Sequence, residues 1–321
     1  MRRLSIPAAV LCLLAGACGG GSAATTTTTA AATTSTAVAA SPDGTVFVGA
    51  DGIQSTITDV SRIVTLSGDL TEAVYAMGLG ADMVGRDVTT VFPQEALDLP
   101  IVGLGRYLTA EGVLAENPTL VLGDTQTSPP EAIDQIRSAG VPVVIFDVPT
   151  SFAELYDKAR AIGTALGVPD KGEELARQTK TAVDDAMATA TPLDPAPGVA
   201  FIYTRGPDVM LLFGAGMTTE PLIEAAGGRD VGAESGVVGT VSVTPEALVA
   251  AAPDVIVVPQ EGLDVLGGID GLLAIPGFAE TPAGKARHIL AYPEGDFLTF
   301  GPRIGDSLRR FIADLRSVLE S

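Results

Sequence analysis

The chain reads as an α/β protein of two lobes, each built on a mostly parallel sheet, joined by one long helix with a ligand cleft between them. Three observations predict this. Continuous apolar runs such as Thr119-Leu120-Val121-Leu122 and Val143-Val144-Ile145-Phe146 suit parallel strands buried on both faces. Strand-like and helix-like runs alternate on both sides of residues 151–190, a stretch with no strand signal. The two flanking halves also echo one another. Thr109 and Thr244 each open a segment with Glu two residues on and Pro nine residues on, followed by an apolar run.

Taken in order, Val46-Phe47-Val48 and Ile57-Thr58 predict a small edge hairpin. Arg62–Leu66 is a strand, Leu70–Met77 a helix, and Asp82–Gly85 a second strand. The run Glu131–Ala139 is a helix stopped at Gly140, a residue suited to a left-handed C-cap. Ser151–Leu166 and Asp170–Ala190 are two helices broken by Gly167-Val168-Pro169, the second charged on its outer faces. The Pro-rich segment Thr191–Pro197 ends them. Strands follow at Gly198–Tyr203, Val209–Phe213, Val255–Val258 and Ile289–Ala291, and a helix over Ile304–Leu319 closes the fold. The expected domains are therefore a first lobe at 45–168, a linker helix at 169–191 and a second lobe at 192–321.

Composition narrows the function. The 321 residues carry 19 Lys+Arg against 39 Asp+Glu, a formal charge of −20, which argues against nucleic-acid or anionic-membrane binding. Two Cys and one His cannot complete a tetrahedral zinc site from those residue types. At the N-terminus, Met1-Arg2-Arg3 precedes an apolar run ending at Ala17, too short to span a bilayer and typical of a secretory signal. Leu14-Ala15-Gly16-Ala17-Cys18 resembles a bacterial lipobox, so residues 1–18 are expected to be a lipoprotein signal with Cys18 lipidated. Residues 19–44, almost entirely Gly, Ser, Ala and Thr up to residue 42, are expected to form a tether to an extracytoplasmic membrane face, with the lipid as the only membrane contact. No Gly-x-Ser-x-Gly elbow joins a strand to a helix, and Gly214-Ala215-Gly216 lacks a phosphate-binding pattern. Nothing in the chain asks for an enzyme.

Several segments together resemble a family of ABC-importer substrate-binding proteins with single-helix-linked, Rossmann-like lobes, the receptors for siderophores, cobalamin and haem. They are Arg62–Leu66 with Thr71-Glu72, the helix starts at Glu111 and Glu246, and the intervening helix. Within that family the chain resembles most the haemin-binding lipoproteins of actinobacterial type. It rests on Val84-Gly85-Arg86-Asp87, Phe201–Gly206, Leu266–Leu273, Pro276-Gly277, Thr281–Gly284 and Phe300-Gly301-Pro302-Arg303. The resemblance implies a monomer that captures ferric haem and hands it to an ABC permease dimer; a ferric siderophore or a corrinoid is the alternative ligand.

The candidate site residues follow. Tyr203 and Arg205 are two apart on an extended segment, so their side chains share a face. A phenolate is a suitable axial ligand for iron(III) porphyrin, although a free phenol titrates near pH 10 and needs a cation to ionise at neutral pH. Read alone, Tyr203 could simply close a strand with its hydroxyl in water. The resemblance implies that it is the axial ligand, with Arg205 as its hydrogen-bonding partner. In resembling proteins the loop before the Glu-bearing helix supplies a second ligand; here it reads Val102–Thr109 with no His, and Tyr107 is the available oxygen, displaced from the usual place where Leu104 or Arg106 falls. Tyr107 is thus a second ligand or a stacking or surface residue. Arg86, Arg106 and Arg303 are candidates for the haem propionates or for surface ion pairs, since a guanidinium can fork onto a carboxylate. Glu111 and Glu246 are candidates for permease docking or for simple charge stabilisation of a helix N-terminus. His288, the single histidine, opens a strand and reads as structural or exposed.

Overall fold

The computed structural model describes residues 44–103 and 107–321. The signal segment, Cys18, all but the last residue of the tether, and Arg106 lie outside the described residues.

The first lobe opens with an antiparallel hairpin of β1 (Thr45–Val48) and β2 (Gln54–Ile57). It continues through β3 (Ile63–Thr65), α1 (Gly68–Ala76), β4 (Met83–Asp87), β5 (Ile101–Gly103), α2 (Ala110–Leu114), β6 (Leu120–Asp124), α3 (Pro130–Ser138) and β7 (Val143–Phe146). Its five main strands form a wholly parallel sheet in the order β5-β4-β3-β6-β7. The apolar runs at 120–122 and 143–146 are buried on both faces, as their composition predicts. One face packs against α1 and the hairpin, the other against α2 and α3.

Two helices follow, α4 (Phe152–Ala165) and α5 (Pro169–Met187). Pro169 sits in the first turn of α5, where a missing N–H costs nothing. The two helices press together at Gly163 and Gly172; a Cβ at Gly163 would fall 2.5 Å from the Gly172 Cα, so no larger residue fits that crossing. In α5, Leu175 and Ala176 belong to the first lobe's core and Val183 and Ala186 to the second's, so this one helix carries the chain across. The N-terminal turn of α4 also reaches the second core through Leu155 and a Phe152–Phe300 ring contact at 5.4 Å.

The second lobe comprises β8 (Gly198–Thr204), β9 (Met210–Phe213), α6 (Thr219–Ala225), β10 (Arg229–Asp230), α7 (Val231–Glu234), β11 (Thr240–Ser242), α8 (Pro245–Ala251), β12 (Val255–Pro259), α9 (Gln260–Val265), α10 (Ile269–Leu273), α11 (Pro282–Ala286), β13 (Ile289–Tyr292), α12 (Glu294–Leu298) and α13 (Ile304–Leu319). The path β11-β9-β8-β12-β13 is mixed. β8, β12 and β13 are parallel, whereas β9 folds back antiparallel on β8 through a turn at Gly206, whose φ of +106° favours glycine. β11 pairs antiparallel with β9 and so runs in the same direction as β8. Among the described residues no helix is long and apolar enough to cross a membrane.

Candidate functional site

Alternation along β8 builds the site. Val199 and Phe201 point into the core shared with α13, Ala200 and Ile202 into the core on the opposite face. Tyr203 continues the first row, half-buried, its ring stacked at 6.2 Å on Phe213 of the neighbouring strand. The strand then leaves the core, and Arg205 projects to the same side. Its Nε–H donates to the Tyr203 hydroxyl at 2.6 Å, while its Nη2 meets Glu294 Oε1 and Oε2 at 2.8 and 2.7 Å. The Tyr203 hydroxyl lies 3.4 Å from Glu294 Oε1. Hydrogen bonding to Tyr203, with the charge of Glu294, holds the guanidinium more firmly protonated than usual. Glu294 opens α12 just beyond β13, and its backbone N–H donates to Glu261 Oε2 at 3.0 Å, beyond the end of β12. Every member of this group therefore stands at or just past the C-terminal end of a parallel strand, where open α/β sheets bind their ligands.

The first lobe offers its own C-terminal sheet edge. There Asp87 accepts from the Thr89 N–H at 2.7 Å and Asp124 from the Gln126 N–H at 2.9 Å, while Lys158 pairs with Asp69 at 2.6 Å. Burial pushes the Asp87 carboxyl up to about 6 and raises that of Asp124. The two edges meet at one end. Arg303 donates to the buried Glu72 at 2.6 Å across the lobes and lies over the Phe92 ring at 4.3 Å. Beside it, a Cβ at Gly295 would come within 2.6 Å of Val91 Cγ2.

These contacts bear on two of the arginine candidates. Arg303, a candidate for a ligand carboxylate, is already held by Glu72. Arg86 is 8% exposed and turns inward, donating to the carbonyl oxygen of Leu97 at 2.9 Å and approaching those of Asp87 and Thr90. Arg303 thus forms an ion pair, the alternative its sequence left open, and Arg86 is turned onto backbone carbonyls. Tyr107 is 79% exposed beside the segment 104–106. His288 is a structural residue whose Nδ1 lies 3.2 Å from the Asp254 carbonyl oxygen.

Sequence reasoning paired Tyr203 with Arg205 but missed Glu294, one of 39 acidic residues and 89 positions away from Arg205. It also missed the apolar Val88, Val91 and Phe92, exposed in the loop beyond β4. Their only sequence signal was a group of bulky apolar residues between a strand end and Pro93.

Glu111 and Glu246 occupy matching places. Each lies exposed in the first turn of a short helix that follows the outermost strand of its sheet, β5 or β11. Thr109 caps one helix by accepting from the Gly112 N–H, and Thr244 caps the other by accepting from the Ala247 N–H, both at 3.2 Å. Both helices pack on the sheet face turned away from α4 and α5.

A bilobal α/β scaffold with polar and aromatic groups on facing sheet edges defines a binding protein, and the comparisons agree. The profile of the periplasmic binding protein family matches residues 63–295, and the chain belongs to that family. Among solved structures it is similar to the periplasmic heme-binding protein RhuT of Roseiflexus sp. RS-1, with 41% identity over 81% of this chain and 99% of that one, at a TM-score of 0.78. It is likewise similar to the heme binding protein HmuT, with 37% identity over 87% of this chain and 91% of that one, at a TM-score of 0.81. HmuT has also been solved with a tyrosine, with an arginine two residues later, and with an earlier histidine, each replaced by alanine. Among curated proteins it resembles the uncharacterized ABC transporter substrate-binding lipoprotein YvrC of Bacillus subtilis (strain 168), 28% identical over 61% of this chain. It also resembles the vitamin B12-binding protein of Vibrio cholerae serotype O1, 23% identical over 54% of this chain. Each of these two matches spans 62% of the relative's length. The family and its solved neighbours are binding proteins, not enzymes.

Proposed function

We propose that this chain captures ferric haem between its lobes, with Tyr203 as axial ligand, and delivers it to an ABC import permease. The observation that carries the reading is the Tyr203–Arg205 pair, with a guanidinium N–H already 2.6 Å from the phenol oxygen. A phenolate is an oxygen donor suited to iron(III). The same two residue types at the same spacing were singled out for replacement in HmuT. The histidine replaced in HmuT precedes its tyrosine, whereas the single histidine here follows Tyr203, and Tyr107 is the candidate for a second axial ligand. On this reading the chain is lipid-anchored through Cys18 on the outer face of the cell membrane. The lipoprotein relative supports that placement.

The exposed pair Glu111 and Glu246 is proposed to dock onto the permease, one carboxylate from each lobe. Their equivalent sites at the two outermost strands support this, because matched rim charges set register and association rate. Reversing both charges should abolish uptake and leave haem binding intact; normal uptake by that double variant would refute the docking.

The B12-binding relatives favour a second reading, a corrinoid ligand on the same scaffold. Titration of the full chain with haemin, cobalamin and a ferric siderophore separates the two. Haemin should saturate at one equivalent with a phenolate-to-iron charge-transfer band, and cobalamin should not displace it. Displacement of haemin by equimolar cobalamin would overturn the haem assignment.

A further inference from the structure

Glu294 is placed to do more than fill a rim. Its carboxylate takes both contacts from the Arg205 Nη2 and stands 3.4 Å from the Tyr203 hydroxyl, so the guanidinium cannot turn away without breaking an ion pair. Arg205 has a side chain 56% exposed and would otherwise be a mobile cation held by one hydrogen bond. The carboxylate is fixed in turn, because Glu294 opens α12 and its own backbone N–H is tied to Glu261. Charge bookkeeping at the site then runs one way. Among the described residues, Arg205 is offset by Glu294, Glu261 brings a further negative charge, and a coordinated phenolate adds one more. A site with net negative charge favours a metalloporphyrin whose metal carries the higher charge.

We propose that Glu294 is a specificity residue of this site: by pinning Arg205 onto Tyr203 and cancelling its charge, it selects oxidised over reduced iron porphyrin. The inference rests on the haem reading above. Without Glu294 the guanidinium keeps only its hydrogen bond to Tyr203, and its charge, no longer offset beside the iron, disfavours the cationic ferric centre. The reduced porphyrin, one charge lower, would lose less.

The test uses the full chain with haemin and with haemin reduced anaerobically by dithionite. Affinities for both oxidation states, and the reduction potential of the bound porphyrin, are measured in the wild type and in Glu294→Gln. The Gln side chain keeps the shape and removes the charge. The ferric-over-ferrous affinity ratio should fall about tenfold, equal to a rise of about 59 mV for a one-electron couple. Glu294→Asp, which keeps the charge, should return most of the ratio; this rescue would not be expected if Glu294 served only to pack α12. An unchanged ratio and potential in Glu294→Gln, with the charge-transfer band retained, would overturn the proposal and leave the haem reading standing. A wild type that binds haemin with no such band would overturn both.

Discussion

In the first lobe, the ends of β3, β4 and β6 bring Thr65, Asp87 and Asp124 to the sheet edge; in the second, β8, β12 and β13 lead to Tyr203, Glu261 and Glu294. The two edges use their polar groups differently. In the first lobe they are spent on the lobe itself. Asp87 and Asp124 cap their own loops, and the hydroxyls of Thr65, Thr71 and Thr90 form a chain at 2.6 and 2.9 Å. In the second lobe the polar groups converge on one phenol oxygen that stands clear of the core. Repetition of a fold therefore does not repeat a site. One edge ties its polar groups to its own loops and the other leaves a phenol half-exposed, and the difference lies in whether the strand's inward row continues past the core, as it does from Val199 through Phe201 to Tyr203.

The comparison can be broken most severely at Tyr203. Tyr203→Ala should weaken haemin binding roughly a hundredfold, about 3 kcal/mol, and abolish the charge-transfer band in a spectroscopic titration. Next comes the contact that joins the lobes. Arg303→Ala strands the buried Glu72, which is 3% exposed, and should lower the unfolding free energy by about 2–3 kcal/mol in denaturant titration. Burial already raises the Glu72 carboxyl, so the loss should be larger at pH 7 than at pH 4, where its protonated form tolerates burial.

Asp87 sharpens the contrast from the first lobe's side. Its folded value of about 6 lies above the usual 3.8, so the folded state holds this proton more tightly than the unfolded chain does. The stability it confers is complete below about pH 4 and is lost as the pH rises through 6. Asp87→Asn should flatten that decline, leaving the variant about 1–2 kcal/mol more stable than wild type at pH 7 relative to their difference at pH 4. Haemin affinity should not change. The smallest effect is expected at Tyr107. If it is a second ligand, Tyr107→Phe should convert the ferric spectrum to a high-spin, five-coordinate form while shifting affinity by less than about tenfold.

Much of the fold was legible because its strands and long helices carry strong periodicity. Val143–Phe146 and Val255–Val258 are unbroken apolar runs, and Leu308, Phe311, Ile312 and Leu315 put one buried stripe on α13. The short helices α9 to α12 and the two- and three-residue strands β10 and β11 were not legible, since elements so short leave no period to count. The antiparallel course of β9 was hidden too, because an apolar run does not state its direction. At the site, Tyr203 and Arg205 were legible through their spacing of two. Glu294 was not, because only the closing of β13 beside β12 brings it to Arg205. The partners of Arg86 and Arg303 were hidden for the same reason: a sequence places an arginine near a cleft but does not tell which carbonyl or carboxylate it will meet.

Resonance Raman spectroscopy of the haemin-loaded full chain, excited in the charge-transfer band, addresses the role of Tyr203 directly. Tyrosinate ring modes coupled to ferric iron should be present in the wild type and absent in Tyr203→Phe. Their persistence in that variant, or their absence from a fully loaded wild type, would contradict the assignment.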